Sequence, residues 1–154
     1  MIPFRWSRGE GRSFGWIRAV MVSLAIYGCA VAGDYPVMQS RFSNCPETPN
    51  CVSSRAHSGR HYIEPIGYEG TLDNARLRLL EVIADSARAH VVKQEDAYLH
   101  VEFTSLLFRF VDDVEFEFDD AGKQIHLKSA SRTGYADFGV NRRRLESIRE
   151  RFNQ

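Results

Sequence analysis

The chain has 154 residues, 44% hydrophobic and 26% charged, the composition of one globular domain with a short appendage. Twenty basic residues balance 20 acidic ones, but Arg5, Arg8, Arg12 and Arg18 precede Tyr27 against a single acid, Glu10, which leaves 16 basic and 19 acidic residues for the rest. A mildly acidic body argues against nucleic-acid binding by phosphate neutralisation, and the chain has no internal repeat, glycine-rich phosphate loop or low-complexity run.

The four arginines lead into an uncharged, mainly apolar run over 19–28. A positive flank before a short apolar stretch is the pattern of a signal or anchor segment. Ile26-Tyr27-Gly28-Cys29 resembles a bacterial lipobox with Cys29 as the acylated residue, although Tyr27 is bulky for that pattern. Ala30-Val31-Ala32 offers a competing cleavage site for soluble secretion. The third alternative is an uncleaved anchor over 19–33, shorter than the roughly 20 residues a spanning helix needs, with Arg18 able to snorkel and extend it. The cysteine count favours lipidation, because three cysteines divide into Cys29 and one pair. The expectation is a membrane-anchored protein of the bacterial cell envelope facing the periplasm, with a signal or anchor at 1–28, a tether at 29–43 and a single domain at 44–154.

Cys45 and Cys51 flank a segment stiffened by Pro46 and Pro49 and can close a small disulfide ring if the backbone turns back. Half a metal site and free thiols are the alternatives. The first lacks a second close Cys or His pair, His57 and His61 being the nearest candidates. No basic residue lies between the two cysteines to make either thiol reactive. No metal and no cofactor is expected.

Tyr62 to Ile66 predicts a short edge strand, the one kind that tolerates Pro65. Thr71 to about Ala89 predicts a helix with Leu72, Ala75, Leu79, Ile83 and Ala87 on its buried stripe, widened by Leu80, Val82 and Ala84, and with Arg78 beside Glu81 on the wet face. His90 to Gln94, Ala97 to Thr104, Asp113 to Asp119 and Lys123 to Ser131 predict four strands. Leu99, Val101 and Phe103 alternate with Tyr98, His100 and Glu102, and Val114, Phe116 and Phe118 with Glu115 and Glu117. Asp119-Asp120-Ala121-Gly122 is a hairpin turn that puts Glu115 and Glu117 on one face with His126 and Lys128. Val140 to Phe152 predicts a second helix with Asn141, Leu145, Ile148 and Phe152 on one side and arginines on the others. The fold class is therefore α+β: an antiparallel sheet of four to five strands with two helices on one face, in the order β-α-β-β-β-β-α.

Three motifs stand out in these elements: Cys45-Pro46-x-x-Pro49-Asn50-Cys51-Val52-Ser53-Ser54, Val111-Asp112-Asp113-Val114-Glu115-Phe116 and Ser129-Ala130-Ser131-Arg132-x-Gly134-x-x-Asp137-x-Gly139-x-Asn141-Arg142-x-Arg144. Together they resemble the family catalogued as domain of unknown function 1499, over roughly 44–152. The resemblance implies a secreted or membrane-anchored protein and brings no settled biochemical activity with it.

The predicted register sets Asp112 and Asp113 opposite Ser129 to Ser131, with Arg132 next and Asp137, Asn141 and Arg142 opening the last helix. Two uses compete for this cluster. One is structural, with Asp112 or Asp113 pairing Arg132 and Asp137 or Asn141 capping the helix. The other is a polar ligand site made of Asp112, Asp113, Ser129, Ser131, Arg132, Asp137, Asn141 and Arg142, in which the two arginines hold an anion beside the helix N-terminus. The neighbouring Leu106-Leu107-Phe108-Arg109-Phe110-Val111 is apolar apart from one arginine, and exposed rings there would suit a lipid or another amphiphile. The expected function is a non-catalytic ligand- or partner-binding module of the envelope for an anionic or lipid-like ligand, with the membrane as its other partner. The catalytic alternative is an envelope hydrolase with an Asp base, Ser129 or Ser131 as nucleophile and Arg132 at an oxyanion.

Overall fold

The computed structural model describes residues 40–57 and 59–154. The expected signal or anchor segment, Cys29 and the tether as far as residue 39 lie outside the described residues. The elements are β1 (Cys51–Ser53), β2 (Ile66–Gly67), α1 (Leu72–Ala84), β3 (Ala89–Glu95), β4 (Tyr98–Thr104), β5 (Val111–Asp119), β6 (Gln124–Ser131) and α2 (Val140–Phe152). They form an α+β fold whose sheet runs β1-β6-β5-β4-β3, with β2 also paired to β6 and every pairing antiparallel.

The sheet has six strands where the sequence predicts four to five. The unforeseen one is β1, whose three residues are too few for alternation to show and are buried by pairing with β6. The edge strand expected over Tyr62 to Ile66 shrinks to Ile66–Gly67, beyond Pro65, while Tyr62 makes only an isolated bridge to Ser53. The long strands keep the predicted register: Glu115 lies opposite Lys128 and Glu117 opposite His126 across the hairpin. In that turn the left-handed position belongs to Lys123 (φ 51°). Gly122 serves by close approach, since a Cβ there would stand 2.6 Å from Asp119 Oδ2, while its N–H donates to Asp119 Oδ1 at 3.0 Å.

Thr71 starts α1 by accepting from the Asn74 N–H at 3.2 Å, and Ala75, Leu79 and Ile83 form its buried stripe. The helix stops at Ala84, short of the expected Ala89. The stripe ends at Ile83, Ser86 Oγ donates back to the Val82 carbonyl at 2.8 Å, and Arg88 (φ 60°) turns the chain into β3. Ala87 therefore belongs to the turn, and Ala84 is exposed. Arg78 does not sit with Glu81; it lies over the Phe152 ring at 5.3 Å, and the ion pair on this helix joins Arg76 to Asp73 at 2.7 Å. The last helix has the predicted bounds and buries Asn141, Leu145, Ile148 and Phe152.

Both helices cover the same face of the sheet. Leu79, Ile83, Leu145 and Ile148 pack with Leu99, Val101, Val114, Phe116, Phe118, Ile125 and Leu127 in one core. Each such side chain contributes about 1.5–3 kcal/mol by leaving water. The other face is polar and carries an extended strap made of residues 40–45. Ser40 Oγ donates to Glu117 at 3.0 Å, the Arg41 N–H also donates to Glu117, and Lys128 Nζ donates to Ser43 Oγ at 2.7 Å. The Cys45–Cys51 disulfide, with its Cα atoms 5.6 Å apart, ties this strap to β1. Residues 40–43, read from sequence as the end of a tether, are thus laid against the sheet. Among the described residues no helix is long and apolar enough to cross a membrane.

Candidate functional site at the loop end of the sheet

Neighbours on a strand point to opposite faces, so the eight residues expected to form one polar site are divided by the sheet. Asp112, Ser129, Ser131 and Asn141 meet on the helix side. Asn141 is fully buried and uses its whole amide: Oδ1 accepts from Ser129 Oγ at 2.5 Å and from Arg144 at 2.7 Å, while Nδ2 donates to the Asn50 carbonyl and to Ser131 Oγ, each at 3.0 Å. Arg144 also donates to Ser129 Oγ at 3.2 Å, pairs with Asp112 at 2.5 Å and lies over the Phe103 ring at 4.8 Å. Asn50 closes the network by donating to the Gly134 carbonyl at 2.7 Å and accepting from Ser131 N–H. Residues from all three motifs thus build one clamp that joins the disulfide segment, the ends of β5 and β6, and the start of α2.

Asp113 and Arg132 lie on the opposite, strap-bearing face. Arg132 donates through Nε and its terminal nitrogen to the two Asp113 oxygens, at 2.8 Å each, and also reaches Glu102. His100 Nε2 contacts Asp113 Oδ1 at 2.7 Å. Burial by itself would raise the Asp113 pKa, but the hydrogen bonds from Arg132 and His100 outweigh it and hold the carboxyl below its ordinary value, while the two carboxylates raise the Arg132 pKa.

The two arginines expected to hold an anion are both engaged. Arg132 faces two carboxylates, and Arg142 donates to the Arg60 and Tyr62 carbonyls at 2.7 Å each. The start of α2 is capped by Asp137, whose oxygens accept from Gly139 N–H at 2.9 Å and Asn141 N–H at 2.7 Å. Ser129 is fully buried, so a nucleophilic role would require opening the clamp. His126 sits mid-strand, away from this cluster, with Nδ1 3.2 Å from Ser54 Oγ. Burial first, then the Arg55 cation, lowers its pKa against the raising effect of Asp119 and Glu117. Among the described residues no group of three or more His, Cys, Asp or Glu is placed to hold a metal ion.

The same end of the sheet presents apolar side chains to water. The loop after β4 exposes Leu106, Leu107, Phe108 and Phe110, with Phe108 70% exposed and its ring stacked on Phe110 at 5.6 Å between centroids. Ser105 pins the base of this loop, its N–H donating to the Phe110 carbonyl at 2.8 Å and its Oγ accepting from Phe110 N–H at 2.9 Å. The loop after β6 adds Tyr135 and Phe138, the latter 89% exposed. Arg109 (φ 53°) and Phe138 (φ 52°) both adopt the left-handed conformation that bulky residues avoid. Strained backbone thus sits where these rings are displayed, a frequent mark of functional surfaces.

Sequence pattern singled out the 106–110 stretch and placed Arg144 in the third motif without a role in the site, but missed Tyr135 and Phe138. Arg144 was within reach, since it lies three residues after Asn141 and shares its helix face; the exposure of the two aromatics depends on loop conformation alone. No curated protein and no solved structure matches the chain. A family model described as "Protein of unknown function (DUF1499)" matches residues 41–152, which is most of the chain and takes in the disulfide, the clamp and both apolar loops, so the protein belongs to that family.

Proposed function

We propose that this protein is a membrane-anchored module of the bacterial cell envelope, facing the periplasm, that binds a lipid-like ligand through the loop end of its sheet without catalysing a reaction on it. The observation that carries the reading is the grouping of Leu106, Leu107, Phe108, Phe110, Tyr135 and Phe138 in water at one end of a fold whose remaining large apolar side chains are mostly buried. Exposed apolar groups of this density are costly unless something covers them. Nearby polar side chains support this surface: Asn50, itself held by Asn141, bonds the loop after β6 at the Gly134 carbonyl, and Ser105 pins the loop after β4 at Phe110.

Native and denaturing mass spectra of the full chain, extracted gently from its host membrane, test this. A lipid-sized increment is expected in the native spectrum only, and the Leu107→Asp/Phe108→Asp variant should lose it. Identical native and denatured masses for the unaltered protein would overturn the ligand. In the denatured spectrum a diacylglycerol-type increment on a chain beginning at Cys29 supports the lipoprotein; an unmodified chain retaining 1–28 replaces it with an uncleaved anchor.

A further inference from the structure

Between the end of α1, the last residues of β4 and the side of α2 that carries Val140, Arg144, Ser147 and Arg151 lies a cleft of about 420 Å³, adjoining the apolar loop. Its apolar wall is Phe103, Leu106 and Val140, so it opens directly onto the exposed Leu106. Its polar wall carries Arg88, Arg144 and Arg151 against one carboxylate, Asp85. Arg144 is neutralised by Asp112. The other two arginines touch only neutral groups among the described residues: Arg88 donates to the Thr104 carbonyl at 3.0 Å, and Arg151 donates to the Val82 carbonyl at 3.2 Å and to Ser86 Oγ at 2.7 Å. Two guanidinium groups without an ion-pair partner among the described residues, facing one acid, leave the cleft with one net positive charge. Both are held by these bonds in the wall of the cleft that Leu106 also lines.

We infer that this cleft receives the phosphate of an anionic phospholipid whose acyl chains lie on Leu106, Leu107, Phe108 and Phe110. The inference rests on the lipid-binding reading above and adds the class of headgroup. Arginine suits the task because its planar fork presents paired donors to phosphate oxygens and is weakly hydrated for a cation. The anion is held by side chains of the cleft, since Asp137 takes the Gly139, Val140 and Asn141 amides at the start of α2.

The test offers the full chain, in nonionic detergent, equal amounts of phosphatidylglycerol and phosphatidylcholine with the same acyl chains and reads the retained lipid by native mass spectrometry. Phosphatidylglycerol should be retained preferentially, by about fivefold for each cation engaged. Arg88→Gln should cut that preference about fivefold with total bound lipid unchanged, whereas Arg88→Lys should keep most of it. Equal retention of the two lipids by the unaltered protein would overturn the headgroup site while leaving lipid binding intact. Retention of neither would sink the lipid reading itself. Displacement of phosphatidylglycerol by millimolar inorganic phosphate alone would overturn the lipid assignment and make this a free-phosphate site.

Discussion

The clamp around Asn141 and the loop from Leu106 to Phe110 share one end of the sheet and treat their chemistry in opposite ways. In the clamp, polar groups are buried and every donor and acceptor of the Asn141 amide is satisfied. In the loop, large apolar side chains stand in water. A buried polar group is tolerated only when fully bonded, since losing one partner leaves the others desolvated and unpaired. An exposed leucine or phenylalanine contributes little to folding, so its placement answers to something outside the fold. One region is thus tuned for stability and the other for contact, and substitutions should separate the two.

The largest expected effect on folding is at the centre of the clamp. Asn141→Ala takes one buried partner each from Ser129, Ser131, the Asn50 carbonyl and Arg144, and should lower stability by about 2–4 kcal/mol, read as the midpoint shift in urea unfolding. A loss under about 0.5 kcal/mol would mean that the network is dispensable and the contrast false. Next comes the disulfide. Cys45→Ser/Cys51→Ser opens a ring with a sequence separation of 6 and should cost about 2 kcal/mol, with faster proteolysis within the strap at residues 40–45 as a second readout.

Acid should act on the strap-bearing face in two stages. His126 has a lowered pKa in the fold, so its stabilising contribution is complete above the unfolded value of about 6.5 and is lost as pH falls through the folded one. Asp113, also lowered, contributes fully above about pH 4 and loses its contribution as pH falls through its folded value. His126→Gln should flatten the upper part of the thermal-midpoint profile, and Arg132→Gln the lower part, because it removes the main cause of the Asp113 shift. Unchanged profiles would show that neither group is coupled to folding. The smallest effect on stability belongs to the loop: Leu107→Asp/Phe108→Asp should change the unfolding free energy by less than about 0.5 kcal/mol while abolishing retained lipid. A large destabilisation there would show that the loop belongs to the core, and the comparison would collapse.

Several of these features can be read from the residues. Alternation in 98–104 and 113–118 gives the faces of the long strands, and the four-residue turn after Asp119 gives their register. The spacing of Asn141, Leu145, Ile148 and Phe152 gives the buried side of the last helix. The division of the candidate site is also implicit there, since Asp112 and Asp113 are adjacent on a strand and cannot serve one face. The pairing of Arg132 with Asp113 also follows from the predicted register; what periodicity does not carry is the three-residue β1, the early end of α1, and the commitment of Arg142 to carbonyls 80 and 82 positions away.

Periods of two and of three to four residues are local properties, so the sequence by itself determined the α+β class, the order of the main elements, which side of each faces the core, and family membership through three spaced motifs. Only the tertiary structure decided that the motifs form a closed clamp, that a strap covers the polar face, and that a cleft lined by Arg88 and Arg151 adjoins the apolar loop. Those outcomes depend on which distant partner reaches each side chain first, and that is settled by how the elements pack.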